Sequence, residues 1–336
     1  MRGALARRIL RIVQTVKPLL VGAWCEGDYP RHLTDPAFAK AEKAHPRPSE
    51  PSASTIKRSK IISTIHSILR TLPIANRGRG LADKAGIFLV IAFETTAFAN
   101  TIRRARIRRA LGAMANEGLV TLRFARDGHD FIFKLRADED GDLSVASEFI
   151  RSGYEFPDTV PAQIIDGGAN IGLFAVMASR RFPGVRVACF EANPDNIQAL
   201  QRNLAINRAN AEAINQALWS GDSEVVFHRH MAYSGHVAEG GAEPEAGDAI
   251  KVKAILPDVG ADCWLKIDIE GAEYEVLPAL FAAGRFPRWI SAELHYYREK
   301  GTALVQAMRH HGYSLRGVPD LAVSDEIAIF AERKVD

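Results

Sequence analysis

The turn at Asp166-Gly167-Gly168-Ala169-Asn170-Ile171-Gly172 constrains this chain more than any other stretch. Apolar Ile164-Ile165 precede it, and an apolar run from Leu173 to Ala178 follows. That order predicts a buried parallel strand, a tight glycine turn and the opening of a helix. Glycines there remove Cβ atoms and let a ligand lie against the backbone near the helix N-terminus. A second strand, Val185 to Phe190, ends in Glu191. It lies about 20 residues beyond the turn, the spacing at which an acid grips ribose hydroxyls. Together these features put an adenosine-containing ligand at the carboxyl edge of an open α/β sheet.

A dinucleotide fingerprint needs G-x-G-x-x-G. With Gly167 first and Gly172 last, Ala169 takes the middle position, where glycine lets the backbone approach a pyrophosphate. Asp166 would be poorly placed beside phosphates. It suits the cationic amino-acid end of S-adenosylmethionine, directly or through water. The expected cofactor contacts are therefore Asp166, Gly167, Gly168, Ala169, Asn170, Gly172 and Glu191, with Asp268 joining them below. A nicotinamide oxidoreductase is the disfavoured alternative.

Three ordered motifs carry a more specific resemblance: Asp166 to Gly172, Phe190-Glu191-Ala192-Asn193-Pro194, and Leu265-Lys266-Ile267-Asp268-Ile269-Glu270-Gly271-Ala272-Glu273. From about Tyr154 to Phe330 the chain resembles FkbM-type methyltransferases. Gly167 stands where that family has an aliphatic residue, and Ala192 where it has proline. The resemblance implies an S-adenosylmethionine-dependent enzyme, with a hydroxyl of a sugar, glycoconjugate or natural product as acceptor. It disfavours N-methylation of nucleobases, because Asp268 is followed by Ile269-Glu270-Gly271 and not by a proline pair and an aromatic.

Strands are expected near 163–166, 186–191, 212–217, 263–268, 289–294 and 327–331, with helices between most of them. The fold class is α/β: a class I methyltransferase-like, doubly wound, mostly parallel sheet with an antiparallel end, plus a smaller N-terminal α+β region. Ligands of such sheets sit outside the carboxyl ends of the strands, which selects Asp166, Glu191, Asp268, Glu293 and His295. Strand alternation puts Glu293 and His295 on one side and Leu294 on the other. A hydroxyl nucleophile must lose a proton, so a general base is needed, and His295, Asp268 and Glu270 are the candidates. His295 could equally make a structural hydrogen bond or position the substrate. Asp268, Glu293 and His295 could offer ligands to Mg²⁺ or Mn²⁺, but strand-end carboxylates are common without metal, and none is assigned. Glu273 enters through the resemblance, and Glu275 reads as solvated.

The division expected along the 336 residues is 1–60, 61–150 and 151–336. The first segment is a basic amphipathic stretch and linker. Leu5, Ile9, Ile12, Val13 and Val16 share a helical face opposite Arg7, Arg8 and Arg11, and no acid precedes Glu26. It suits packing on its own domain, a targeting peptide, or weak contact with an anionic membrane surface through residues 1–24. A non-catalytic adenosine-binding or membrane-surface module is thus an alternative function. Residues 44–59, rich in proline, serine and charge, read as linker. Helices are expected over Ile61–Leu72 and Leu81–Ala99. Arg103, Arg104, Arg106, Arg108 and Arg109 crowd a further helix, either a solvated face or an anion site. Val120–Phe124 and Phe131–Leu135 flank Asp127-Gly128 as a hairpin.

His228 to Asp248, with His230, Tyr233, Ser234 and His236, reads as an insertion, either lid or surface loop. Ser220-Gly221-Asp222 before it reads as a hairpin turn. The net charge of +3 is too small to imply nucleic acid as a partner. Cys25, Cys189 and Cys263 are odd in number and far apart, so a reducing, cytoplasmic compartment is expected.

Overall fold

The computed structural model describes residues 74–95, 101–151, 154–229, 235–238, 249–319 and 324–334. The amphipathic segment, the linker and the helix expected at 61–72 lie outside the described residues, as do Cys25, His230, Tyr233 and Ser234.

Helices α1 (Leu81–Thr95) and α2 (Thr101–Met114) precede a hairpin of β1 (Leu119–Arg126) and β2 (His129–Arg136). Asp127 and Gly128 at its tip both have positive φ, 49° and 78°. That is the twist of a two-residue type I′ turn, which matches the twist of paired strands. Helix α3 (Asp140–Arg151) leads into the main sheet.

That sheet has seven strands in the order β12-β13-β11-β10-β3-β4-β5. They are β3 (Gln163–Gly167), β4 (Val187–Phe190), β5 (Ala211–Ile214), β10 (Cys263–Ile267), β11 (Trp289–Leu294), β12 (Tyr313–Arg316) and β13 (Ile327–Arg333). β3, β4, β5, β10 and β11 pair in parallel, whereas β13 runs antiparallel to both β11 and β12. The chain leaves β3 outward through β4 to β5 and later returns on its other side as β10, so strand order reverses between β3 and β10. Doubly wound sheets bind ligands at such a switch point.

Alternation along each strand divides the core in two. Ile164, Trp264 and Trp289 join one buried cluster with α1 to α3, the hairpin, α4 (Leu173–Arg181) and α5 (Pro194–Asn207). Ile165, Leu265 and Ile290 join the opposite cluster with α6 (Glu273–Ala282) and α7 (Thr302–His310). Asp166, Lys266 and Glu293 therefore fall on the face that the N-terminal elements cover.

Side-chain amides lace the hairpin to α5. Asn207 Oδ1 accepts the Ile132 N–H at 3.1 Å, and its Nδ2 donates to Ile132 O at 2.6 Å. One turn earlier Asn203 accepts from Lys134 N at 2.9 Å and donates to Ile171 O, also at 2.9 Å. These two residues close the free edge of β2 and tie it to the glycine turn.

Two expectations need correction. The single strand expected near 212–217 is two: β5 ends at Ile214, and β6 (Ala217–Leu218) belongs to a second sheet. That four-stranded sheet has the order β6-β9-β7-β8, with β7 (Ser223–Arg229), β8 (Gly235–Ala238) and β9 (Ala249–Ile255). Ser220-Gly221-Asp222 consequently joins two strands separated by β9 and is not a hairpin turn. The insertion expected from His228 is partly strand, with His228 opposite His236 in register.

Candidate active site

A cavity of about 580 Å³ opens at the switch point, within the range of roughly 300–1,000 Å³ usual for small-molecule sites. Its walls come from the glycine turn (Gly168, Ala169, Asn170), the end of β4 (Glu191) and the end of β10 (Lys266, Asp268, Glu270). Further walls come from the end of β11 (Glu293, His295), from α2 and α3, and from the second sheet through Leu218 and Phe227.

The glycine turn is held from several sides. Gly168 has φ of 70°, and a Cβ there would come within 1.9 Å of Asp268 O. Only glycine lets the turn lie so close to the chain leaving β10. Gly172 likewise adopts φ of 88° just before α4, where a Cβ would meet Leu200 at 2.7 Å. The N–H groups of Gly168 and Ala169 both donate to Phe190 O at 3.0 Å, and that of Gly172 donates to Ala169 O. Asn170 N donates to Glu191 Oε2 at 2.8 Å. These four amides, which could otherwise cradle a pyrophosphate, are therefore engaged by protein acceptors, three of them at the end of β4.

Glu191 is buried and engaged at both oxygens, its Oε1 accepting from Asn193 N at 2.8 Å. Burial pushes its pKa up, against the pull of these two N–H groups. The Asn196 side chain also hydrogen-bonds this carboxylate, which leaves part of its acceptor capacity for a ligand hydroxyl. Asn193 also caps α5 by accepting from Asp195 N at 3.0 Å, ahead of Pro194 in the first turn. Asn-Pro in that motif is thus a helix start. Asn170 Oδ1 is sealed from solvent with no hydrogen-bond donor.

Asp166 is fully buried and lies behind the cavity wall. Its Oδ1 is 3.2 Å from Lys266 Nζ. Lys266, part of the third motif but given no role by the sequence, also donates to Gly168 O at 2.8 Å and to Gly167 O at 3.2 Å. Burial opposes its charge, but Asp166 and Asp268 outweigh burial and raise its pKa, so it stays protonated. The available signal was a lysine inside the otherwise apolar Cys263–Ile267.

Beyond β10 the chain turns at Glu270 and Gly271, with φ of 57° and 104°. Strand alternation therefore ends before Glu270. Fully buried Glu273 fastens this turn, accepting from Ile269 N at 2.7 Å and Gly271 N at 2.9 Å. It also lies 3.3 Å from His295 Nδ1, while Glu270 Oε2 lies 3.4 Å from His295 Nε2. Burial works against a charged imidazole, yet Glu273, Glu270 and Asp268 push His295 up to about 9. Glu270 is pushed up to about 7, chiefly by burial and in spite of His295. Glu293 is pushed up to about 8 by burial, then by Asp268 and Glu148. Glu293 and His295 do share the cavity side, with Leu294 in the opposite core.

Asp268, Glu273 and His295 bring candidate metal-ligand atoms within 4.8 Å of one another, a grouping with Glu273 where Glu293 was weighed. Both Glu273 oxygens already accept backbone N–H groups, and the Lys266 ammonium stands 3.8 Å from Asp268.

Of the arginine cluster, Arg104 lines the cavity and Arg106, Arg108 and Arg109 are exposed. Arg103's side chain lies outside the described residues. Cys189 and Cys263 are buried free thiols. Among the described residues no helix is long and apolar enough to cross a membrane.

Residues 166–315 match the family described as Methyltransferase FkbM domain. Just under half of the chain is thus similar to FkbM-type methyltransferase domains. Methyltransferase sdnD of Sordaria araneosa is 32% identical, over 34% of this chain and 58% of its own length. The 31-O-demethyl-FK506 methyltransferase FkbM of Streptomyces tacrolimicus is 28% identical, over 55% of this chain and 85% of that protein. The chain thus spans less than two thirds of the Sordaria relative. Among solved structures, a precorrin-6y C5,15-methyltransferase from Geobacter metallireducens overlaps 53% of this chain and 82% of its own at 16% identity. Its TM-score of 0.33 is too low to bear on function. The FkbM match begins at Asp166, so the cavity wall from α2 and α3 precedes it.

Proposed function

We propose that the chain is an S-adenosylmethionine-dependent methyltransferase that acts on a hydroxyl of a small polar acceptor, such as a sugar, glycoconjugate or natural product. The observation that carries this reading is one cavity joining two kinds of wall. The glycine turn and Glu191 form one, and Glu270 with His295, backed by buried Glu273, form the other. Glu191 keeps acceptor capacity for a ribose hydroxyl, and orphaned Asn170 Oδ1 suits a ligand N–H or O–H. The spent amides of the turn disfavour a dinucleotide.

When bound, the cofactor supplies an electrophilic methyl group on a sulfonium. The chain's part is to exclude water, align the acceptor oxygen and take its proton. Glu270 is the base we infer, because its carboxylate faces the cavity and its pKa of about 7 suits neutral pH. His295, protonated below about 9, orients Glu270 from Nε2 and is itself oriented by Glu273 at Nδ1. Asp268 lines the same cavity beside Lys266. The acceptor wall from α3, Ser144, Glu148 and Arg151, is polar and suits a hydroxylated compound.

Calorimetric titration with S-adenosylhomocysteine tests the cofactor. Glu191→Ala should weaken binding by about 1.5–3 kcal/mol, the value of charge-assisted hydrogen bonds. A folded wild-type protein that does not bind would overturn the reading. A screen of hydroxylated acceptors with labelled methyl donor then tests the oxygen.

A further inference from the structure

We propose that Lys266 is a positioning residue: its ammonium braces the glycine turn against β10 at the switch point, beyond serving as counter-charge to Asp166. The inference rests on the reading of this cavity as the cofactor site. The last register pair of the two strands is Ile267 with Gly167. Past it the chains diverge, one into the turn and the other toward Asp268, joined by Asp268 N donating to Gly167 O at 3.2 Å. Lys266 bridges this gap from below. An ammonium has three N–H donors, and three acceptors lie within reach: Gly168 O at 2.8 Å, Gly167 O at 3.2 Å and Asp166 Oδ1 at 3.2 Å.

The order of those distances separates the two roles. A residue present only to neutralise Asp166 would make its shortest contact there, yet the shortest runs to a carbonyl of the turn. Gly168 O lies on the segment whose Cα presses against Asp268 O, so the brace fixes the height of the turn above β10. Asp268 Oδ2, at 3.8 Å, is aligned by the same charge. Lys266 lines the cavity without projecting across it, so it acts through the turn and Asp268.

The test removes the charge pair while keeping its volume. Lys266→Met alone strands the buried Asp166 carboxylate at a cost that threatens folding, so it is paired with Asp166→Leu; apolar replacements of buried ion pairs often preserve stability. Hydrogen exchange of amides 167–172 is read in the full, ligand-free chain, beside Tm and S-adenosylhomocysteine titration. The double variant should regain a Tm near wild type, with turn amides exchanging about tenfold faster, as expected when a local hydrogen-bonded brace is lost. Where the wild type binds S-adenosylhomocysteine, its affinity should fall as well. Wild-type exchange in the folded double variant overturns the proposal and reduces Lys266 to a counter-charge. Faster exchange with no binding even by wild type leaves the brace standing and removes the cofactor reading instead.

Discussion

His295 lies between two carboxylates, 3.3 Å from Glu273 and 3.4 Å from Glu270, so its proton and the base's readiness are linked. If Glu270 is the base, it works when ionised, and kcat/KM should rise as pH passes through about 7. If His295 works protonated, the rate should fall as pH passes through about 9. The resulting bell has its plateau between those values. With His295 as base the alkaline limb reverses: the rate would climb through about 9, where the imidazole becomes neutral. Glu270→Gln should lower kcat by about 10²–10⁴-fold, the usual contribution of general base catalysis. A smaller effect, or an unchanged acid limb, would sink the assignment. The trio Asp268, Glu273 and His295 carries its own prediction. Because Glu273 already accepts two N–H groups and Lys266 stands near Asp268, prolonged chelation should leave turnover unchanged. Activity lost to chelator and restored by Mg²⁺ or Mn²⁺ would show that these residues release their bonds to a cation.

Among the elements, the lacing of β2 to α5 has the clearest energetic consequence. Asn207→Ala leaves the half-buried N–H and carbonyl of Ile132 without their partner, which should cost about 1–3 kcal/mol. Urea unfolding measures this directly, and a change within error would mean that water takes over the edge. Asn203→Leu should also loosen the glycine turn, because Asn203 holds Ile171 O as well as the hairpin. This lacing was not legible in the sequence. Asn203 and Asn207 stand four apart on a helix, where asparagines read as solvent-facing, and only the docked hairpin gives them partners. Local patterns served better where structure is local. The I′ turn at Asp127-Gly128, the Asn-Pro start of α5 and the turn before α4 each depend on a few neighbouring residues. The second sheet escaped because β6 has two residues and pairs with a strand more than thirty positions away. Lys266 escaped for another reason: its value lies in the register that puts it opposite Asp166.

Across the whole molecule, the boundary expected at 150/151 runs through the end of α3. Phe149 and Ile150 there lie in the same buried cluster as Phe174 and Trp264 of the main sheet's layer. Phe149 stacks edge-on with Phe133 of the hairpin at 5.7 Å, and Phe174 packs on Trp264 at 4.8 Å. We therefore expect residues 74–334 to unfold in one cooperative transition, with calorimetric and van't Hoff enthalpies in agreement. Two resolved transitions would support a domain boundary there. Helix α3 contributes to this core on one side and to the cavity on the other. Ser144, Glu148 and Arg151 face the cavity at intervals of four and three, a single helical stripe. These positions lie upstream of the FkbM match and apart from the glycine turn, Glu191 and Glu270. If that stripe meets the acceptor, choice of acceptor and the means of methyl transfer would occupy separate lengths of chain. Exchanging that stripe should retune which compound is modified while leaving the reacting groups untouched, as a key can be recut without replacing the lock's bolt.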